Sequence, residues 1–227
     1  SLISEKNCNF EEEVYPQLVA QNKLFATMTE HQYYSVGSFE RIKFTEEFFK
    51  PKRVVFLDRD GTINKRPARA CYIEKPEDFV WLAGAIEAIN ILKKNGFLVI
   101  IITNQPGIAR GNLTEEMLHC IHEKMRADLL KERTEIDDIF YCPHNWDDGC
   151  FCRKPNPGMI FEAQKKYSLN LSECYLIGDD ERDIAAGEAA GCICKMVDEK
   201  YTVLDVAKEI VSLEKKEKIH DYFKDTP

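Results

Sequence analysis

The sequence has no apolar run that approaches the roughly 20 residues of a membrane-spanning helix, and no signal-peptide pattern is visible. Positive charge is also scarce, because 31 Lys and Arg face 39 Asp and Glu, for a formal net charge of −8. This balance argues against a broad surface for nucleic acid or an anionic membrane, although a small basic pocket for phosphate is compatible with it. We therefore expect neither partner.

The nine cysteines form no regular framework, and their odd number favours reduced thiols over a disulfide scaffold. We therefore expect a reducing compartment, the cytoplasm. The 227 residues suffice for one ordinary domain and a smaller segment. Because the chain starts at Ser1 without a methionine, we also expect a trimmed or excised fragment.

Residues 1–50 differ in character from residues 51–227, and we expect them to form a separate N-terminal segment. Helices are predicted over residues 11–25 and 39–50, with a strand over residues 27–36. About 50 residues cannot bury much core alone. The segment is therefore expected either to pack on the main domain or to be the stub of another domain.

Two stretches of this segment carry a resemblance: Phe-Glu-Glu-Glu-Val-Tyr-Pro-Gln-Leu at residues 10–18 and Tyr-Ser-Val-Gly-Ser-Phe-Glu at residues 34–40. They resemble the carboxyl-terminal end of a sugar-phosphate nucleotidyltransferase, although Ser35 replaces an acid and Phe39 a proline of that pattern. The resemblance implies that the chain derives from a larger, two-domain parent and that the stub has no transferase activity. An extension without a separate function is the alternative.

From residue 51 onward, apolar runs alternate with amphipathic helical patterns, and this alternation predicts an α/β fold with a doubly wound parallel sheet. The tail is predicted to be a charged helix with Val206, Ile210 and Leu213 as its apolar stripe. Strands are predicted at residues 53–57, 97–102, 139–141, 174–177 and 192–197, and the intervening helices at residues 84–95, 114–133, 157–167 and 183–190.

Polar side chains follow three of these strands: Asp58 and Asp60, then Thr103, then Asp179, while Lys154 precedes a helix. The carboxyl ends of parallel strands share the edge at which ligands bind. Carboxylate oxygens suit Mg²⁺, whereas lysine and hydroxyl donors suit the oxygens of a transferring phosphoryl group. For one pair of acids alone, a strand followed by a solvated turn would be the simpler interpretation.

A second pattern is Cys142-Pro-His144 followed by Cys150-Phe-Cys152. Three thiolates and one imidazole suit a closed tetrahedral Zn²⁺ site, and coincidental thiols on a loop are the alternative. Because protein would fill all four positions, this zinc is expected to be structural. It would fix the loop directly before residues 153 and 154.

Together the motifs resemble the haloacid dehalogenase superfamily of phosphotransferases, whose first motif is Asp-x-Asp-Gly-Thr. That resemblance implies a three-layer α/β/α sandwich without a large cap domain. It implies that Asp58 is the nucleophile that forms an aspartyl-phosphate and that Asp60 is the general acid and base. Thr103 and Lys154 would complete the catalytic set.

The same resemblance implies a Mg²⁺ site formed by Asp58, the backbone carbonyl of Asp60, and Asp179. Asp183 is expected to support this loop and its lysine neighbour rather than to bind the metal.

Asp-Arg-Asp-Gly-Thr-Ile-Asn at residues 58–64, Thr-Asn-Gln-Pro-Gly-Ile-Ala-Arg-Gly at residues 103–111 and the zinc loop narrow the resemblance to the D,D-heptose 1,7-bisphosphate phosphatases. It covers roughly residues 52–200 and implies removal of the 7-phosphate of D-glycero-D-manno-heptose 1,7-bisphosphate, a lipopolysaccharide precursor. The substrate contacts that it implies are Asn104, Gln105, Arg110 and Arg153, with Tyr72 at the entrance.

Three features depart from that pattern: the loop at residues 64–72 is longer, the zinc loop is shorter, and Asp180 stands where a lysine is frequent. Because all three touch substrate contacts, a histidinol-phosphate phosphatase is an alternative. A non-catalytic, zinc-stabilised scaffold is an alternative of another class. A nucleic-acid 3′-phosphatase is disfavoured by the net charge.

Overall fold

The structure is a computed structural model that describes residues 9–26, 36–50, 52–68 and 71–224, including side chains except at residues 47, 48 and 215–224. The chain divides into two compact units, Ser1–Lys50 and Pro51–Pro227. Among the helices in the described ranges, none combines the length and the apolar composition that a membrane span requires.

The first unit contains a π-helical turn, Phe10–Val14, that continues into helix α1, Tyr15–Ala20, and a separate helix α2, Phe39–Phe49. The helix predicted over residues 11–25 therefore ends earlier, because Asn22 adopts a left-handed backbone conformation (φ 51°) that stops it. The helix predicted over residues 39–50 is confirmed. The strand predicted over residues 27–36 lies outside the described residues except for its last residue.

The second unit is built on five parallel strands in the order β3-β2-β1-β4-β5. Strand β1 is central, and all four of its residues are fully buried, which explains its uninterrupted apolar sequence. Val55 of β1 pairs with Val99 on one side and with Tyr175 on the other. The strands are β1, Val54–Leu57; β2, Leu98–Asn104; β3, Asp138–Cys142; β4, Tyr175–Gly178; and β5, Ile193–Met196.

Helices cover both faces of this sheet. One face packs against α3, Ala85–Lys94, α4, Glu115–Lys131, and α7, Val203–Lys224. The other packs against α5, Gly158–Tyr167, and α6, Glu181–Ala190. The predicted three-layer, doubly wound fold is therefore confirmed.

The strand order reverses between β1 and β4, which places a crevice outside their carboxyl ends. In α7 the predicted stripe is correct for Val206 and Ile210 but wrong for Leu213, which is exposed because Val211 takes the buried side of that turn.

Candidate active site

The loops after β1 and β4 meet at the crevice. Pairing of the two strands continues as far as Asp58, whose amide donates to the carbonyl of Ile177 at 2.9 Å. Gly61 then turns the chain with φ 104°, and a Cβ at this position would lie only 1.9 Å from Oδ2 of Asp179. Only glycine therefore allows the first acidic motif to approach the acid after β4.

Lys154 lies at the centre of the site. Its ammonium is 2.6 Å from Oδ1 of Asp58, 2.7 Å from Oδ1 of Asp183 and 2.9 Å from the carbonyl oxygen of Ile102, so its three donors are satisfied. Burial disfavours the charge on Lys154, but the two carboxylates outweigh it and raise the lysine pKa. Lys154 is therefore a fixed ammonium.

Asn104, at the end of β2, fixes the backbone of that lysine. Its side-chain oxygen accepts from the Lys154 amide, and its side-chain nitrogen donates to the Lys154 carbonyl, both at 3.0 Å. The amide group thereby holds Lys154 beside β2, and it also lines the cleft at these strand ends. Its contact with substrate stays a prediction.

Burial raises the pKa of Asp58 to about 7, with a further increase from Asp183, against the opposing effect of Lys154. The carboxyl group is thus poised between its two protonation states near neutral pH. A divalent cation beside it would favour the ionised, nucleophilic form.

Asp60 is held differently. Its carboxylate accepts from Arg59 through Nε (3.2 Å) and Nη2 (2.7 Å), from Asn64 at 2.9 Å and from Gln105 at 3.1 Å. Although burial opposes it, the Arg59 guanidinium and these amides lower the pKa of Asp60. The same Gln105 nitrogen lies 2.8 Å from Oγ1 of buried Thr103, so Gln105 positions two site residues. It also lines the cleft, and its contact with substrate stays a prediction.

Arg59 and Asn64 were not predicted as site residues. Arg59 is fully buried, and the signal available in the sequence was a charged residue between two acids at the end of a buried strand. Such a side chain needs a carboxylate partner, because an unpaired buried charge is strongly disfavoured.

A set of oxygen ligands suited to a hard cation lies between the β1 and β4 loops. Carboxylate oxygens of Asp58, Asp179 and Asp183 lie within 4.8 Å of one another. The guanidinium of Arg66 already brings a positive charge there, with Nη2 2.8 Å from Oδ2 of Asp179 and Nε 3.3 Å from the carbonyl oxygen of Asp60.

Asp183 is the least suited of these acids to bind a metal. Its Oδ1 faces Lys154, and its Oδ2 accepts from the Asp180 amide at 3.1 Å as part of the capping box of α6. Both oxygens are therefore committed to holding the lysine and the helix start, which favours Asp58 and Asp179 as the metal ligands.

The four predicted zinc ligands come together at the end of β3. Sγ of Cys142 lies 3.6 Å from Sγ of Cys150 and 3.3 Å from Sγ of Cys152, and Nδ1 of His144 lies 3.2 Å from Sγ of Cys152. In a tetrahedral site with Zn–S bonds of about 2.3 Å, neighbouring ligand atoms are ~3.8 Å apart, so the cluster can hold Zn²⁺. The backbone enters Arg153 directly from this cluster.

A cleft of about 380 Å³ opens at these strand ends. Several positively charged side chains line it. Arg110, which was predicted to contact substrate, donates to Oδ1 of Asn145 at 2.9 Å and to the hydroxyl of Tyr72, and its contact with substrate stays a prediction. Arg110 thus connects Tyr72, at the entrance of the cleft, with Asn145 in the zinc loop. The residues that line the cleft include Asp58, Arg66, Tyr72, Arg153, Lys154 and Arg182.

Arg182 was also missed. It lies in the first turn of α6, where the helix dipole disfavours a cation, and that unfavourable placement was a signal in the sequence. Asp180 compensates for it by accepting from Arg182 Nε at 2.8 Å and Nη2 at 2.9 Å.

Comparison with known proteins agrees with this geometry. The family model "Polynucleotide kinase 3 phosphatase" matches residues 53–221. The D-glycero-alpha-D-manno-heptose-1,7-bisphosphate 7-phosphatase of Photorhabdus laumondii is 44% identical over 147 residues, which are 61% of this chain and 78% of that protein. The corresponding beta-heptose enzyme of Bordetella bronchiseptica is 38% identical over 140 residues, 62% of this chain and 77% of that protein.

Among solved structures, the D,D-heptose 1,7-bisphosphate phosphatase of Bordetella bronchiseptica, complexed with magnesium and phosphate, matches with a TM-score of 0.66 and 32% identity. The match covers 70% of this chain and 98% of that chain. The chain therefore belongs to the polynucleotide kinase 3 phosphatase family and, within the haloacid dehalogenase superfamily, to the heptose bisphosphate phosphatases.

Proposed function

We propose that the protein is a Mg²⁺-dependent phosphoric monoester hydrolase that removes the 7-phosphate of a D-glycero-D-manno-heptose 1,7-bisphosphate. The observation that carries the reaction type is the buried carboxylate of Asp58, paired with Lys154 and adjacent to the oxygen ligands around Asp179. The heptose substrate is supported by the names of the relatives.

In the first step, a carboxylate oxygen of Asp58 attacks the phosphorus, and the bond from phosphorus to the sugar oxygen breaks. Lys154 orients the carboxylate and balances charge beside it, and the hydroxyl of Thr103, which lines the cleft, offers a donor to the oxygens of the transferring group. In the second step, water attacks the phosphorus of the aspartyl-phosphate, which restores Asp58 and releases inorganic phosphate.

Asp60 moves the protons. It gives a proton to the departing sugar oxygen and later takes one from the attacking water. Its four donors favour the carboxylate in the resting site, which suits the second step. An entering phosphate dianion raises the pKa of a neighbouring carboxyl group, which allows Asp60 to carry the proton that the first step needs.

Asp58, the Asp60 carbonyl and Asp179 would hold Mg²⁺, with Asp183 as a supporting residue. When bound, the metal neutralises the charge on the phosphoryl oxygens. The cysteine and histidine cluster would hold a structural Zn²⁺ that fixes the loop before Arg153.

The protein has a net charge of −8, yet several arginine and lysine side chains line its cleft. This local positive charge suits a substrate that carries two phosphates. Arg153 and Arg182 line the cleft and are proposed to bind the phosphate that is not removed. Tyr72 lines the entrance, and Arg110 orients it.

A substrate panel tests this function. Phosphate release is measured, with and without Mg²⁺, for both anomers of the heptose bisphosphate, histidinol phosphate and a 3′-phosphorylated oligonucleotide, the last because of the family description. We expect the highest kcat/KM for one heptose bisphosphate anomer, one phosphate released per molecule, and no release without Mg²⁺. Preferred turnover of histidinol phosphate or the oligonucleotide would contradict the proposed substrate.

We further propose that residues 1–50 are the remnant of a nucleotidyltransferase domain without activity, and that the protein works in the cytoplasm. The family match begins only at residue 53, and the eight cysteines in the described part of the chain are all free thiols. Removal of residues 1–50 is expected to leave kcat/KM unchanged. A large loss of kcat/KM in a folded truncation would show that the segment serves the phosphatase.

A further inference from the structure

Arg66 occupies a specific position between the β1 and β4 loops. Its Nη2 lies 2.8 Å from Oδ2 of Asp179 and its Nε lies 3.3 Å from the carbonyl oxygen of Asp60. A second carboxylate, that of Asp180, lies 3.6 Å from Nη2. Two of these three oxygens belong to groups that, in the proposed function, hold the metal.

A guanidinium and a divalent cation cannot share these oxygens. Two positive charges a few ångströms apart repel each other strongly in a partly desolvated site. The side chain of Asp179 is only 14% exposed, so water screens this repulsion weakly. One cation must leave when the other binds.

The side chain of Arg66 has room to move. Its side chain is 47% exposed and projects from the irregular segment that follows Asn64, outside the packed core. The same side chain lines the cleft. A small change in side-chain rotamer can therefore move the guanidinium from the carboxylates toward a bound ligand, and planar guanidinium groups bind phosphate in a bidentate manner.

We infer that, in the metal-free protein, the guanidinium of Arg66 occupies the position of the metal ion. When Mg²⁺ binds, the side chain turns into the cleft, toward the substrate's phosphate. The inference rests on the proposed function. In the metal-free state Arg66 neutralises Asp179, and in the loaded state it becomes a phosphate ligand. Metal and phosphate binding are thereby coupled, and by linkage each strengthens the other.

Isothermal titration calorimetry on the full chain tests whether Arg66 competes with Mg²⁺ for these oxygens. Mg²⁺ is titrated without phosphate into the wild type, Arg66→Gln, Arg66→Lys and the control Lys65→Gln. Lys65 is the exposed neighbouring cation, so its variant has the same net charge as Arg66→Gln. We expect Arg66→Gln to bind Mg²⁺ about three- to tenfold more tightly than Lys65→Gln, because it lacks the internal competitor. Equal Mg²⁺ affinity in the two variants would overturn the inference.

Titration of inorganic phosphate at saturating Mg²⁺ tests whether Arg66 becomes a phosphate ligand in the metal-loaded protein. Arg66→Gln is expected to bind phosphate about three- to tenfold more weakly than the wild type, and Lys65→Gln keeps most of the affinity. Arg66→Lys is expected to lie between these two, because lysine keeps the charge but not the bidentate geometry. Unchanged phosphate affinity in Arg66→Gln would overturn the inference while leaving the proposed function intact. A wild type that neither binds Mg²⁺ nor releases phosphate would instead overturn the proposed function and, with it, the inference.

Discussion

The ammonium of Lys154 lies 2.6 Å from Oδ1 of Asp58, and the two side chains are 3% and 9% exposed. The lysine comes from the segment that follows the zinc loop and the aspartate from the end of β1, so one buried ion pair joins two distant parts of the chain. Loss of Lys154 leaves the carboxylate of Asp58 buried without its cation, which is far more costly than loss of a surface pair.

Replacement of Asp58, the proposed nucleophile, separates chemistry from folding. In Asp58→Asn, Lys154 retains Asp183 and the Ile102 carbonyl, so the protein is expected to fold. Phosphate release is expected to fall at least about a thousandfold, because an amide cannot form the aspartyl-phosphate. The exposed Asp78→Asn is the matched control. Circular dichroism and a phosphate assay check both, and undiminished turnover in Asp58→Asn would refute the assignment of the nucleophile.

Replacement of the lysine tests the ion pair itself. Lys154→Met leaves Asp58 and Asp183 buried near each other without their shared cation, and a loss of ~3–5 kcal/mol in the free energy of unfolding is expected. Lys65→Met, on the surface, is expected to change it by less than about 0.5 kcal/mol. Urea denaturation followed by circular dichroism gives both values. Similar stability of the two variants would mean that the buried pair is not required by the fold.

The zinc loop predicts a link between metal content and turnover. Protein purified without chelators is expected to contain one Zn²⁺ per chain, and Cys150→Ser is expected to lose it. Because Arg153 and Lys154 follow the cluster directly, kcat/KM should then fall about 10- to 100-fold. Exposed Cys120→Ser should keep both the zinc and the activity. Elemental analysis and kinetics check this, and zinc-free wild type with full activity would disprove it.

His122 predicts a loss of stability in mild acid. Burial and the nearby Arg59 lower the pKa of His122 to about 3, so the folded protein keeps this imidazole neutral where the unfolded chain protonates it. The folded state binds fewer protons below the unfolded pKa of about 6.5, and stability therefore falls as pH decreases, by ~2 kcal/mol between about pH 7 and pH 5.

His122→Phe removes that contribution while keeping a ring against Tyr141. The difference in unfolding free energy between wild type and variant should change by the same ~2 kcal/mol over this range. Asp58, whose raised pKa acts in the opposite direction, cancels in the difference. Parallel pH profiles of the two proteins would mean that His122 is protonated in the folded state.

The sheet and its chemistry were predictable because their signals are local. A buried parallel strand needs a continuous apolar run, and the acids at residues 58, 60 and 179 follow such runs directly. The zinc ligands lie within eleven consecutive residues, so their proximity was predictable from spacing as well.

The partners of the polar side chains were not predictable in this way. Asn104 bonds to the backbone of a residue fifty positions later, and Gln105 bonds to Asp60 forty-five positions earlier. An amide can serve substrate or protein equally well, and only the folded chain decides which groups come within reach. The sequence places Arg66 in a basic segment, but its contacts with Asp60 and Asp179 were not predictable, because these partners lie on different loops.

The residues of the cleft come from two kinds of structure, strand ends and irregular segments. Asp58, Thr103 and Asp179 stand on or directly after strand ends that the buried sheet holds in register, whereas Tyr72 and Arg153 belong to irregular segments outside the sheet. Apart from the zinc ligands and Lys154, the side chains of those segments lie outside the sheet, so their substitution leaves the strand pairing intact. Substrate preference in this protein can therefore diverge while the phosphate-cleaving apparatus stays constant, which makes the two loops the natural place to exchange residues when a new phosphorylated substrate is sought.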